Sequence, residues 1–507
     1  MTSRYKSLAV TVSIYLACAI VAVVLGMVAS VGSLAFSLIL AGLIAGPVIM
    51  VYPSVLLWVT LAGGLIVSGV VMLYFPQFQV IRWGVAVASM LLVVRALMEG
   101  ISDRGDAAPR RNLPSLFWWV VAFMLIVIVS SLANWQGGKL LVIGLKSYFQ
   151  VSGIFFALVI MAWPSRVIER LPKVIFWFAI LQLPFVIHEY LFLVPRRAGA
   201  GHGVVPADVV AGTFGSSELG GGSNMELSAF MFIVFSVFVS LWKRKYLPLN
   251  KLIFISVLLL APVFVNQSKV SVIFLALVFL TIYKAEFLRQ PHKILLPGIF
   301  MALIMSGMLY VYALFNATEV SSNPADLVET TIEQNFSSDT GHGAFYLNRW
   351  TTITFWFQKH SISDPWPMLI GHGPRATREG GVGLDTEDTF ARRMYPDMGI
   401  GLTAVSALLW ETGAVGLVLV FCIFGSAFRS AGILADRYRD NQRQAAIFSG
   451  LQAGVVVMAL TLFHKSSFVY NIAYQTIIML LLGYLAYYLA KDEKSSLGTA
   501  TAMINKK

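Results

Sequence analysis

The chain predicts an all-α polytopic membrane protein of about 12–14 transmembrane helices with one large outer loop. Three observations carry that expectation. First, 58% of the 507 residues are hydrophobic and only 12% charged, with a mean hydropathy of +0.77, more apolar surface than a soluble globule can bury. Second, fourteen apolar stretches, most of them near the roughly 20 residues that a membrane-crossing helix needs, follow one another with short breaks. Third, most of the 37 Lys and Arg fall in one alternate set of loops and tails, as the positive-inside rule requires.

The stretches lie near 8 to 28, 31 to 51, 54 to 75, 79 to 98, 115 to 133, 138 to 163, 172 to 194, 224 to 242, 251 to 266, 268 to 285, 294 to 315, 401 to 428, 444 to 464 and 467 to 490. The first is long for a signal-peptide core and lacks a small-residue cleavage site, so it reads as a retained helix. The ninth and tenth are short and fit either two crossings or a re-entrant pair. A cytoplasmic N-terminus places "DRGDAAPRR", "PSRVIERLPK", "KRKYLPLNK", "LRQPHK", "RYRDNQR" and the tail in the cytoplasm, and the acidic segment Asn316 to Ile400 outside. The chain then divides into scaffold helices (1–194), a Gly-rich outer loop with central helices (195–315), the large loop (316–400), C-terminal helices (401–490) and a cytoplasmic tail (491–507). The tail is polar and is expected to be disordered. Arg82 and Arg95 sit near interfaces, where they can snorkel.

The net charge of +12 is thus a topology signal and implies no nucleic-acid partner. Cys18 and Cys422 have no metal-site or disulfide spacing, no His and carboxylate clustering suggests a metal, and no Gly-rich phosphate loop ends in Lys-Ser or Lys-Thr. The sequence calls for no cofactor.

Chemistry is expected at the outer edge. In "PRRAGAGHGVVPADVVAGTFGSSELGGGSNMELSAF", glycines leave amides free for an oxyanion, and Arg196 and Arg197 add charge; a flexible loop with snorkelling arginines would read the same. Asn224 and Glu226 suit a helix start. In "PVFVNQSKVSVIF", Lys269 interrupts apolar sequence, and an ionisable group there is either functional or part of a turn. In the large loop, "GHGAFYLNRWTTITFWFQKH" is amphipathic and carries Arg349, and two further stretches bring His372, Arg375, Arg378, Arg392, Arg393 and Asp397 together. Guanidiniums near a His and a carboxylate suit phosphate binding beside a base, although solvated loop charge is the commoner fate of such residues. "FHKSSF", with His464 and Lys465, reads mainly as a turn.

The order of "GTFGSS…SNMELSAF", "NQSKVSVIF", "NRWTTITFWF…LIGHGP" and "DMGIGLTAVSALLWETGAVGL", with one large loop before the last helices, resembles the bacterial O-antigen ligase and polysaccharide polymerase superfamily from Pro195 to Phe468. The resemblance implies a metal-independent inner-membrane glycosyltransferase with a periplasmic loop. Its substrate would be a glycan carried on undecaprenyl pyrophosphate, and its partners membrane lipids and other polysaccharide-assembly proteins. By the same resemblance Lys269 matches the basic residue after Ser in the family's membrane motif, and Arg349 the Arg before the aromatic helix. His372 lies in the Gly-His-Gly segment, and Glu411, Gly413 and Gly416 match Glu-x-Gly-x-x-Gly. Ligases carry a His about ten residues before that Glu; here Asp397 is the only nearby proton acceptor, which favours a polymerase over a ligase. The expected catalytic residues are Arg349, Lys269, Asp397 as first base and His372 as second, with Arg196, Arg197, Arg375, Arg378, Arg392, Arg393 and Glu411 binding substrate. A secondary transporter is the reading from another class; its ionisable residues would cluster at the bilayer midplane, whereas here they gather at the outer edge, with Lys146, His188 and Glu189 the main exceptions.

Overall fold

The computed structural model describes residues 50–102, 113–135, 137–198, 206–216, 222–316, 335–337, 341–342, 345–378 and 389–504. The predicted crossings at 8 to 28 and 31 to 51, with Cys18, lie outside them, as do "DRGDAAPRR" and much of the large loop. Among the described residues the long elements are helices: α1 (Pro53–Tyr74), α2 (Ile81–Ser102), α3 (Ser115–Ala133), α4 (Gly138–Phe149), α5 (Ser152–Ile160), α6 (Ser165–Arg197), α7 (Asn224–Lys243), α8 (Leu249–Val265), α9 (Ser271–Ile282), α10 (Leu295–Asn316), α11 (Thr351–Lys359), α12 (Pro365–Ile370), α13 (Ala404–Arg437), α14 (Gln442–Thr461) and α15 (Ile472–Ile504). Nine helices among them are long and apolar enough to cross a membrane, or ten with the bent pair α4 and α5. The protein is an all-α polytopic membrane protein.

Central and peripheral helices separate by burial. The apolar window of α15 is 89% buried and that of α7 83%, against 11% for α10, so α15 and α7 form the axis and α10 faces lipid. Small residues let the central helices touch, as they must where no hydrophobic effect drives helices together inside lipid. A Cβ on Gly450 of α14 would stand 2.5 Å from Cα of Val237 on α7. Ser236 Oγ donates to the Gly450 carbonyl across the same seam at 2.8 Å.

The two short spans are apolar helices shorter than the nine above, and both lie against α7. Lys243, at one end of α7, donates to the Ile282 carbonyl at 2.5 Å and to Glu286 at 2.8 Å, while Asn266 Nδ2 donates to the carbonyl of Asn224, at the other end, at 2.9 Å. Thus α8 (17 residues) and α9 (12 residues) pack alongside α7 (20 residues) between its two ends, spanning about 25 and 18 Å at ~1.5 Å per residue. The bent span is the sixth, where α4 and α5 meet at 54°. The tail departs from expectation: α15 continues as helix to Ile504 instead of ending near 490. A preformed helix extends without a new nucleation cost, and Lys, Glu, Leu and Ala in that stretch are good helix formers.

Candidate functional site

At the end of the bundle away from the basic loops, five distant segments meet: the end of α6, the segment before α7, the α8–α9 turn, the large loop and the α14–α15 turn. Each is set by local chemistry. Glu189 in α6 is fully buried and accepts from the amides of Ala211 (3.0 Å) and Gly212 (2.7 Å), and Gln182 accepts from the Thr213 amide (2.8 Å). These amides are therefore engaged inside the protein and are not free for an oxyanion, which corrects the sequence expectation for this part of the Gly-rich segment. The α8–α9 turn is pinned by fully buried Asn266, which also donates to Ser228 Oγ at 2.8 Å. In the large loop, Asn348 Oδ1 accepts from the Thr351 amide at 2.9 Å and starts α11 immediately after Arg349.

Cations converge there. Arg349 makes contacts through all three guanidinium nitrogens, engaging three of its five N–H groups: Nε donates to the His464 carbonyl (2.8 Å), Nη1 to Asn335 Oδ1, and Nη2 contacts His342 Nε2 (3.3 Å). Lys465 donates to the Gly222 carbonyl and lies 3.8 Å from Glu226, which also accepts from Ser467. Asp208, bonded by Asn224 Nδ2 at 3.1 Å, lies in the field of Lys465, Arg197 and Arg349. Burial raises its carboxyl above the ordinary range, and those three cations and the Asn224 bond pull it back. His342 is pushed down to about 4 by burial, then by Arg349, Lys465 and Lys269. His464 is held well below its usual value by burial, then by Arg349, Lys465 and His342. Both imidazoles are therefore neutral at pH 7. Arg349 falls to about 10, mainly through burial, and stays protonated.

The conspicuous member is Arg197. Its side chain is 4% exposed, and Nε, Nη1 and Nη2 all lack a hydrogen-bond partner among the described residues. A buried guanidinium without acceptors is costly unless an anion completes it.

The other predicted residues divide. Lys269 is exposed on the α8–α9 turn, so it is a turn residue and also contributes charge to the cluster. Arg196, adjacent to Arg197 on one helix and so about 100° away round its axis, is exposed, and the expected pair is split. Arg392 and Arg393 are exposed. Arg375 is buried at a positive φ of 71°, and the Arg378 guanidinium lies 5.1 Å from the Tyr470 ring centre. Asp397 is exposed at a turn with φ 58°, and the groups that act on Arg349, His342 and His464 do not include it. Its carbonyl, accepting from the Tyr346 amide at 3.1 Å, is what the turn uses.

His372 belongs to an aromatic block. Its ring stacks on Phe390 at 4.2 Å, and its Nε2 lies 3.0 Å from His360 Nε2. Since His360 Nδ1 faces the Trp356 carbonyl at 2.9 Å and must donate to it, His360 Nε2 accepts and His372 Nε2 donates. Burial, then His360, pushes His372 down to about 4. This His braces α11 against Trp410. Glu411 is likewise a clamp: fully buried, it accepts from Tyr148 (2.8 Å), Thr377 Oγ1 (2.7 Å) and Tyr470. Beside it Gly371 and Gly413, at φ 72° and 69°, let the large loop cross α13 backbone to backbone.

Sequence reasoning missed Asp208, His342 and Asn335 and read His464 and Lys465 as turn residues. Asp208 and His342 stood inside stretches already marked for glycine and charge, but nothing in their spacing distinguished them from neighbouring loop residues. Comparison with known protein families finds none that matches the chain, and comparison with curated proteins finds no match.

Proposed function

We propose that this protein is a membrane glycosyltransferase that polymerises oligosaccharide repeat units carried on a polyprenyl pyrophosphate, undecaprenyl pyrophosphate in a bacterial inner membrane, with the site on the periplasmic side. The observation that carries the proposal is the buried guanidinium of Arg197, which has no hydrogen-bond partner among the described residues and lies in a cluster with Arg349, Lys465 and Lys269 whose described carboxylates are Asp208 and Glu226. Among the described residues four cations face two carboxylates, an excess of positive charge that suits a diphosphate diester with its ionised oxygens. The cluster lies at the ends of membrane helices, where a lipid-anchored diphosphate sits.

Arg197 and Arg349 would hold the diphosphate by their planar forks, with Lys465 and Lys269 as point charges. An acceptor hydroxyl attacks anomeric C1, the C1–O bond to phosphate breaks, and the electron pair leaves with the diphosphate, where the cations stabilise the growing charge. Asp208 takes the hydroxyl proton: its carboxyl is raised by burial, and the His342 lone pair is already turned to Arg349. Single displacement inverts C1. Holding donor and acceptor on a fixed surface supplies proximity. Positioning of the large loop falls to Glu411, His372 and the two glycines.

The test is gel analysis of surface polysaccharide in cells lacking the protein and complemented with wild type or Arg349→Ala. Collapse to single repeat units in the absence of a functional copy supports polymerisation. Full-length chains left on the lipid carrier would make it a ligase, and unchanged polysaccharide in every strain would sink the glycan reading and turn attention to transport.

A further inference from the structure

A second site lies at the opposite end of the bundle. A cavity of about 360 Å³ opens between α6, α7, α8, α14 and α15. Its walls are apolar, Phe230, Val234 and Ile477 among them, and its lining contains no Asp or Glu. Along α7 it reaches from Phe230 to Leu241, about 16 Å at ~1.5 Å per residue, which is the depth of one leaflet in a hydrocarbon core of ~30 Å. It occupies the half nearest the basic loops, because Leu241 adjoins Lys243 and the Glu286 contact at that end. Two exposed cations, Lys173 and Arg443, stand in its lining at that end with Tyr484, whose hydroxyl accepts from Gln444 at 3.3 Å. The N-terminus of α14, whose helix dipole favours an anion, opens beside Arg443.

We propose that this cavity binds one anionic phospholipid from the leaflet at the basic-loop end, an acyl chain lying in the apolar cleft and the headgroup phosphate on Lys173 and Arg443. The volume falls in the range of small-ligand sites, ~300 to 1,000 Å³. The depth matches a single leaflet, and the charge selects an anionic over a zwitterionic head. A bound chain would fill the space between α6 and the central helices α7 and α15 and so brace α6, which carries Arg197 at its far end. The inference stands independently of the glycan reading.

Native mass spectrometry of the full-length protein, titrated with phosphatidylglycerol, phosphatidylcholine or inorganic phosphate, tests it. The wild type should retain one phosphatidylglycerol at about tenfold lower lipid concentration than phosphatidylcholine, and inorganic phosphate should not displace it. A Lys173→Gln, Arg443→Gln double variant should lose that preference, and Val234→Trp, which fills the cleft, should lose the retained lipid altogether. Equal retention of the two lipids by wild type, an unchanged preference in the double variant, or displacement by free phosphate would overturn the proposal. The double variant changes only exposed side chains, so it decides the matter even where Val234→Trp fails to elute as a folded protein.

Discussion

Replacing Glu411 with Ala removes the acceptor on which Tyr148, Thr377 and Tyr470 converge. Thr377 and Tyr470 keep each other at 3.0 Å, but the Tyr148 hydroxyl and the Thr377 amide lose the acceptor they share in Glu411. Each buried donor left unsatisfied costs ~1–3 kcal/mol, and the missing carboxylate arm leaves a void, so the expected loss is about 3–6 kcal/mol. Glu411→Gln keeps the volume and one carbonyl, turns an amide toward Tyr148 oxygen and should cost about 1–2 kcal/mol. The assay is the temperature at which the detergent-solubilised protein loses its monodisperse elution peak. The Ala variant should melt roughly 5 °C or more below wild type, with Gln between them. An Ala variant that melts with wild type while losing diphosphate affinity would refute the clamp and return Glu411 to the substrate.

Other outcomes follow from the same geometry. Arg197→Ala should lower turnover by about 10²-fold, the usual cost of one charge-stabilising donor, while Arg196→Ala stays within about threefold; equal losses in a purified polymerisation assay would contradict the split between them. The guanidinium of Arg349 bonds in three directions, which an ammonium cannot reproduce, so Arg349→Lys should be nearly as inactive as Arg349→Ala in that assay. His342 and His372 both drop from 6.5 to about 4 on folding, so the unfolded chain takes up their protons first. Their contribution is therefore complete above pH 6.5 and disappears as pH falls through about 4, and the thermal midpoint should decline over that window less steeply in His342→Asn, His372→Asn than in wild type. A Cβ at Gly413 would stand 2.2 Å from the Leu369 carbonyl carbon at a φ of 69°, so Gly413→Ala should yield no monodisperse protein, whereas Gly425→Ala, with open space on the same helix, should elute as wild type.

Fold class and helix positions were legible in the sequence because lipid imposes a one-dimensional rule: each crossing needs its own run of apolar residues and internal backbone bonds. That rule placed α3, Ser115–Ala133, without error, and it left open only what length alone cannot decide, such as whether α8 and α9 cross fully. Arg349, Lys269 and Arg197 were legible as charges at a membrane edge, where solvation makes an unexplained cation conspicuous. Which charges share a site was not, since that depends on contacts between residues as far apart in the chain as Asp208 and Lys465. Tertiary structure alone separated buried Arg197 from exposed Arg196, about 100° round the helix axis, set Asp397 on a solvent-exposed turn, and turned Glu411 and His372 inward to hydroxyl and aromatic partners. The bilayer fixes each helix separately from its own composition, whereas a site made of loops from five segments exists only once the helices have packed and carried those loops together.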